Sequence, residues 1–109
     1  SIDEAFSQRK MKTMKTPNQT AILRESSETL RAIAHPLRLR IIELLFENKQ
    51  LSVTEIHEAL DVEQAVASHH LRILKNKKVV DLERDGKNSL YFLINPAFYD
   101  IVRIMNDNI

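Results

Sequence analysis

Six residues in one short stretch carry groups that can read a polar surface. Ala65, Ser68, His69, Arg72 and Asn76 stand at i, i+3, i+4, i+7 and i+11, one face of a helical period, with Gln64 just ahead of them. The stripe is small or polar and holds no large apolar side chain. Small residues allow close approach. Serine, histidine, arginine and the amides supply donors and acceptors for base edges and phosphates in a DNA major groove. Gln64 lies at the N-terminal end, where a groove-reading helix meets bases, and glutamine can bond bidentately to adenine. The opposite stripe, Ala67, His70, Leu71 and Leu74, is apolar apart from the histidine and is expected to face a core.

Charge placement agrees with that chemistry. The whole chain has a formal net charge of +1, which by itself points to no partner. Residues 64–78 nevertheless hold Arg72, Lys75, Lys77 and Lys78 and no acid, while the rest of the chain holds 12 basic and 15 acidic residues. Phosphate neutralisation supplies most sequence-independent DNA affinity, so positive charge gathered on one element is the expected footprint. A second polar cluster, Arg84, Lys87, Asn88 and Tyr91, surrounds a turn and suits flanking phosphates or a minor groove, although Glu83 and Asp85 dilute it. Tyr91 fits equally well as a half-buried strand residue.

Other chemistries find little support. With no cysteine, the chain has no disulfide, iron–sulfur cluster, thiolate metal site or cysteine nucleophile. One glycine excludes phosphate-cradling loops that need two or three. Serine, histidine and aspartate are present, but no nucleophile elbow or metalloprotease helix occurs, so no enzyme is expected. Of the four histidines, His69 and His70 are adjacent and point to different faces, so they cannot chelate together. His70 is expected to be a hydrogen-bonded core residue and His35, before Pro36, a helix cap. His57 with a neighbouring acid is the one conceivable zinc pair. No apolar run reaches a membrane-spanning length and no signal-peptide pattern opens the chain, so a cytoplasmic binding module with no membrane association and no cofactor is expected.

The elements that must position these groups follow from periodicity and punctuation. Residues 1–17 show no period and hold Arg9, Lys10, Lys12 and Lys15 with Met11 and Met14. They read either as a flexible basic arm touching nucleic acid or a partner, or in part as an added leader or a misplaced start. Residues 18–109 form the domain. Asn18 to Ala34 reads as a helix with Leu23, Ser27, Leu30 and Ala34 on one face, where Ser26 and Ser27 allow another helix to approach. Pro36 starts a second helix, apolar nearly all round through Leu37, Leu39, Ile41, Ile42, Leu44, Leu45 and Phe46, with Asn48 as its stop. Ser52-Val53-Thr54-Glu55 is a capping box opening a short third helix, whose buried side is Ile56, Ala59 and Leu60. Asp61-Val62-Glu63 breaks the chain before the fourth helix, Gln64 to about Lys77. The period then drops to two. Val80 and Leu82 alternate with acids, Leu90, Phe92 and Ile94 share a face, and Asp85-Gly86-Lys87-Asn88 between them signals a hairpin. Asn95-Pro96 caps a last helix with the stripe Phe98, Ile101, Val102 and Met105. The chain is long enough for one domain that buries roughly two-thirds of its unfolded surface, a thin core that favours a second copy. The order α-α-α-α-β-β-α, mainly helical with a two-stranded wing, describes a winged helix-turn-helix.

Three segments resemble the ArsR/SmtB-type bacterial repressors. Ala34-His35-Pro36-Leu37-Arg38-Leu39-Arg40-Ile41-Ile42 is similar to the family's A-x-P-x-R-x-x-I pattern, Leu51 to Ile56 to the start of its short helix, and Gln64 to Leu74 to its S-x-H-L-[KR]-x-L recognition helix. With the hairpin and last helix, the resemblance covers residues 18–109. It implies a homodimer joined through the first and last helices, hence through Leu23, Ser27, Leu30, Phe98, Ile101, Val102 and Met105. It also implies a double-stranded operator with imperfect palindromic symmetry and release by a small-molecule inducer of unspecified chemistry. Two departures matter. Glu63 stands where the family often has a capping serine. Ser52 and Thr54 stand where many members have a C-x-C metal pair, and the last helix, with Asp100 and Asp107, has no histidine, so no metal site carries over. Three readings remain: a dimeric sequence-specific repressor, a metal sensor with oxygen and nitrogen ligands on the same fold, and a winged-helix module that binds protein. The shortage of aromatic anchors on the Ala65 to Asn76 face argues against the last.

Overall fold

The computed structural model describes residues 3–5 and 17–109. The basic residues Arg9, Lys10, Lys12 and Lys15, on which the reading of a charged arm rests, lie outside the described residues. Residues 3–5 are helical.

The longer helices are α1 (Pro17–Ile33), α2 (Pro36–Asn48), α3 (Val53–Leu60), α4 (Gln64–Asn76) and α5 (Ala97–Asp107). Among the described residues three strands accompany them: β1 (Leu51–Ser52), β2 (Val80–Asp85) and β3 (Asn88–Leu93), all antiparallel in the order β1-β3-β2. The expected wing of two strands is therefore part of a three-stranded sheet, since Leu51 and Ser52 pair with Tyr91 and Leu90. Two residues cannot display a period, which is why the sequence pattern does not reveal β1.

Local chemistry explains the boundaries. Pro36 occupies the first turn of α2, and Nδ1 of His35, the N-cap, accepts a bond from the Leu37 amide at 3.1 Å, as expected of a cap. The last residue of α2 is Asn48, whose side-chain amide donates to Leu44 O, and the chain breaks at Lys49 (φ 61°), across which the Gln50 amide donates to Asn48 O at 2.7 Å. Ser52 and Glu55 form the reciprocal capping box at α3. At α5 the N-cap position falls on Pro96, one residue later than the sequence suggests, and Asn95 Oδ1 accepts from the Ala97 amide at 2.9 Å in the turn that leads into the helix.

One apolar core joins the elements, with Ile33 of α1, Ile41, Ile42 and Leu45 of α2, Ile56 of α3, Ala67, Leu71 and Leu74 of α4, Val79 and Val80, and Val102 of α5. Three side chains differ from their expected places. Ala59 is exposed, because only Ile56 of α3 faces fully inward. Phe46 is half-exposed and stacks on Tyr99 at 3.9 Å, because the inward positions of α2 are filled by Ile41, Ile42, Leu44 and Leu45. Val102 is 2% exposed and belongs to this core, so it is withdrawn from any surface contact.

The hairpin turns on Gly86 and Lys87, with Asp85 paired to Asn88. Gly86 has φ +62° at the first central position, a left-handed conformation that glycine adopts without steric cost. Val80 lies opposite Leu93 and Leu82 opposite Tyr91, and these residues share the core-facing side. Leu90 and Phe92 pair with Glu83 and Asp81 on the other side of the sheet. Strand β3 is thus apolar on both faces.

Candidate nucleic-acid interface

The candidate interface is built on α4. Its inward stripe is Ala67, His70, Leu71 and Leu74, all buried, as the spacing implies. That burial leaves Gln64, Ala65, Ser68, His69, Arg72, Lys75 and Asn76 exposed on the remaining surface. Arg72 Nη2 donates to His69 Nδ1 at 3.2 Å, which pairs the two side chains on the outer face. The first turn of α4 holds no acid, and its N-cap Glu63 makes no side-chain capping bond. Helix amides there remain directed outward, where the positive end of the helix dipole favours an anion.

Sequence reasoning missed Val66, which is 39% exposed in that first turn. It lies between the two stripes, so neither stripe assigns it. An exposed valine in the first turn can meet a thymine methyl group. Lys77 behaves differently from the other basic residues, because its Nζ meets Glu28 Oε2 of α1 at 3.2 Å. That pair ties the end of α4 to α1 and removes one of the four positive charges from the footprint.

The break between α3 and α4 is pinned by His57. Its backbone carbonyl accepts from the Val62 amide and its Nδ1–H donates to Val62 O, both at 3.1 Å. Asp61 takes the left-handed conformation (φ 56°) at the corner. His57 therefore holds the helix-turn-helix corner, and among the described residues no three histidine or acidic side chains converge as a metal site would require.

In the wing, Arg84, Lys87 and Asn88 are exposed at or beside the turn. Tyr91 is half-buried, packed against the core three residues from the turn, and takes the strand role rather than a place at the tip. Gln50 Nε2 donates to Glu83 Oε2 at 3.1 Å and braces the base of the wing, while Asp85 stays exposed beside the turn with Arg84 and Lys87.

Helices α1 and α5 flank a groove of about 430 Å³ lined by Ile22, Glu25, Ser26, Thr29, Leu30, Phe98 and Ile101. Ile22 and Leu30 in its lining, and Leu23, Ile104 and Met105 elsewhere on α1 and α5, are all about half-exposed. Ser27, Phe98 and Ile101 are half-buried. Of the residues assigned to a dimer surface, Val102 alone is turned fully into the protomer.

A short α3–turn–α4 unit with an exposed polar second helix and an adjoining hairpin defines a winged helix-turn-helix regulator. The sequence model described as "Bacterial regulatory protein, arsR family" matches residues 35–81. The chain is 34% identical over 84 residues to the transcriptional repressor PagR of Bacillus anthracis, covering 77% of this chain and 84% of that protein. It is 41% identical over 90 residues to the transcriptional repressor SmtB of Mycobacterium tuberculosis, covering 83% of this chain and 66% of that protein. The crystal structure of PagR is similar at a TM-score of 0.71, with 80% of this chain and 99% of that chain covered and 33% identity. The homodimeric winged helix-turn-helix DNA-binding domain Mb0332 of Mycobacterium bovis shares the fold at a TM-score of 0.75 and 24% identity, over 84% of this chain and 87% of that one. The chain belongs to the ArsR family of bacterial DNA-binding transcriptional regulators. Among the described residues no helix is long and apolar enough to cross a membrane.

Proposed function

We propose that the chain is a homodimeric transcriptional repressor that binds an operator of imperfect palindromic sequence and does not sense metals through thiolates. The observation that carries this reading is the outward face of α4, where Gln64, Ala65, Ser68, His69 and Arg72 stand exposed together, with no acid between Gln64 and Lys78. Gln64, Ser68 and Arg72 read base edges, and Lys75 meets phosphate. Arg84, Lys87 and Asn88 hold the flanking backbone. Two copies joined across the α1–α5 groove present two recognition helices, and a two-fold dimer reads a site of matching symmetry. Leu23, Ser27, Leu30, Phe98, Ile101 and Met105 form that joint. PagR and SmtB, both named repressors, support the regulatory direction, and the homodimeric Mb0332 domain supports the assembly.

The test is selection of a duplex from a randomised library by the wild-type protein, followed by mobility shift. The reading requires salt-sensitive, sequence-specific binding that Arg72→Ala with Ser68→Ala abolishes while light scattering still reports a dimer. Binding that survives the double substitution contradicts it.

A further inference from the structure

The buried stripe of α4 is apolar except for His70, which is 6% exposed. Ala67, Leu71 and Leu74 set how deeply the helix sits, but apolar burial is non-directional and fixes its rotation and axial position only loosely. Within that stripe the directional contact comes from α2. Arg38 Nε donates to His70 Nδ1 at 3.1 Å, and Arg38 Nη1 donates to Ala32 O at 2.8 Å. Ala32 lies in the last turn of α1, among the carbonyls that have no partner within their own helix. One planar guanidinium on α2 therefore bonds α1 and α4 at once, a geometry that an ammonium group does not reproduce.

The geometry points to Arg38 as a positioning residue for DNA recognition: it locks α4 to the ends of α1 and α2 through a neutral His70, so protonation of His70 releases the recognition helix. This rests on the reading of α4 as the DNA-contacting helix. A donor from Arg38 requires an unprotonated Nδ1, so neutral His70 carries its proton on Nε2. Protonation sets a donor and a like charge against the guanidinium. The titratable and charged groups that face His70 are His35 at the α2 cap, with rings 4.5 Å apart, Arg38, and His69 beside it on α4. Burial first, then the charges of His35, Arg38 and His69, hold the His70 pKa below the ordinary histidine value of 6.5, so the lock is closed at neutral pH. His69, adjacent in sequence, lies on the exposed face and bonds Arg72, so any rotation of α4 at His70 moves the groups that meet bases.

The probe is a fluorescein-labelled duplex selected by the wild-type protein, with poly(dI-dC) as the non-specific reference. Anisotropy gives the ratio of the two affinities, in which any change of DNA affinity shared by both duplexes cancels. Wild type should lose about tenfold in this ratio as pH falls from neutral through the His70 midpoint, read from nitrogen-resolved histidine spectra of the same protein, the order expected for one lost charge-assisted hydrogen bond. His70→Gln, which can accept from Arg38 at every pH, should show a flat ratio. Arg38→Lys should show a ratio about tenfold lower already at pH 7.5. In the wild-type protein, nitrogen-resolved histidine spectra should place His70 in the Nε2–H form, a measurement independent of whether either variant folds. A flat wild-type profile, a profile shared by His70→Gln, an undiminished ratio in Arg38→Lys, or the Nδ1–H tautomer each overturns the proposal. Failure of the selection itself overturns the DNA-reading assignment, and with it this role; a successful selection with any of those four results overturns the positioning role alone.

Discussion

Salt dependence offers a quantitative check on which charges face DNA. In one protomer the four cations assigned to DNA, Arg72, Lys75, Arg84 and Lys87, are exposed and make no ion pair with a carboxylate among the described residues, whereas Lys77 is held by Glu28. A dimer that brings all of these to phosphates displaces counterions in proportion, giving a slope of log affinity against log salt of roughly −7. Affinity then falls about 10⁴-fold between about 50 and 200 mM salt. Lys87→Ala removes one contact from each copy and should flatten the slope by about 2 units, whereas Lys77→Ala should leave it unchanged. Anisotropy titrations of a selected duplex over a sodium chloride series measure both. A wild-type slope shallower than about −3, or equal effects of Lys77→Ala and Lys87→Ala, would refute the assignment of the wing and the outer face of α4 to DNA.

Three further outcomes follow from the same geometry. Leu30→Asp places a charge at the α1–α5 groove and should convert the dimer to monomer in light scattering, with the helical circular-dichroism signal retained. Below pH 6.5 the unfolded chain protonates its histidine more readily than folded His70 does, so stability is full above that value and declines as pH falls through it; urea midpoints at about pH 7.5 and 5.5 should show the decline, and His70→Gln should reduce it. Gly86→Ala meets no neighbour within 4 Å, so its cost is the left-handed backbone alone, about 1 kcal/mol, measurable as a lower urea midpoint.

Much of the framework is written in local chemistry. The Ser52–Glu55 capping box, Pro36 behind a histidine cap, and the change of period at Val79 are short-range signals, and each marks a real boundary. The two stripes of α4 are equally legible because one is apolar and the other polar along a single helix. Long-range pairing is where the pattern fails. Strand β3 is apolar on both faces, so its alternation does not reveal that Tyr91 and Leu93, rather than Leu90 and Phe92, turn to the core; only pairing with Val80 and Leu82 decides it. Likewise the stripe of α5 groups Val102 with Ile101 and Met105, but the neighbours that bury Val102 come from distant segments. Arg38 and His70 sit 32 residues apart, in two separate motifs, and no local period brings them together. The Lys77–Glu28 pair spans 49 residues and hides one charge that composition counts as available.

The most direct measurement of the central claim is an amide-resolved NMR titration of the labelled dimer with a selected duplex. The account predicts that the largest shifts fall on residues 64–76 and on 84–88 at the wing, with the α1–α5 groove little changed. Shifts concentrated on the groove, or absent from residues 64–76, would contradict it.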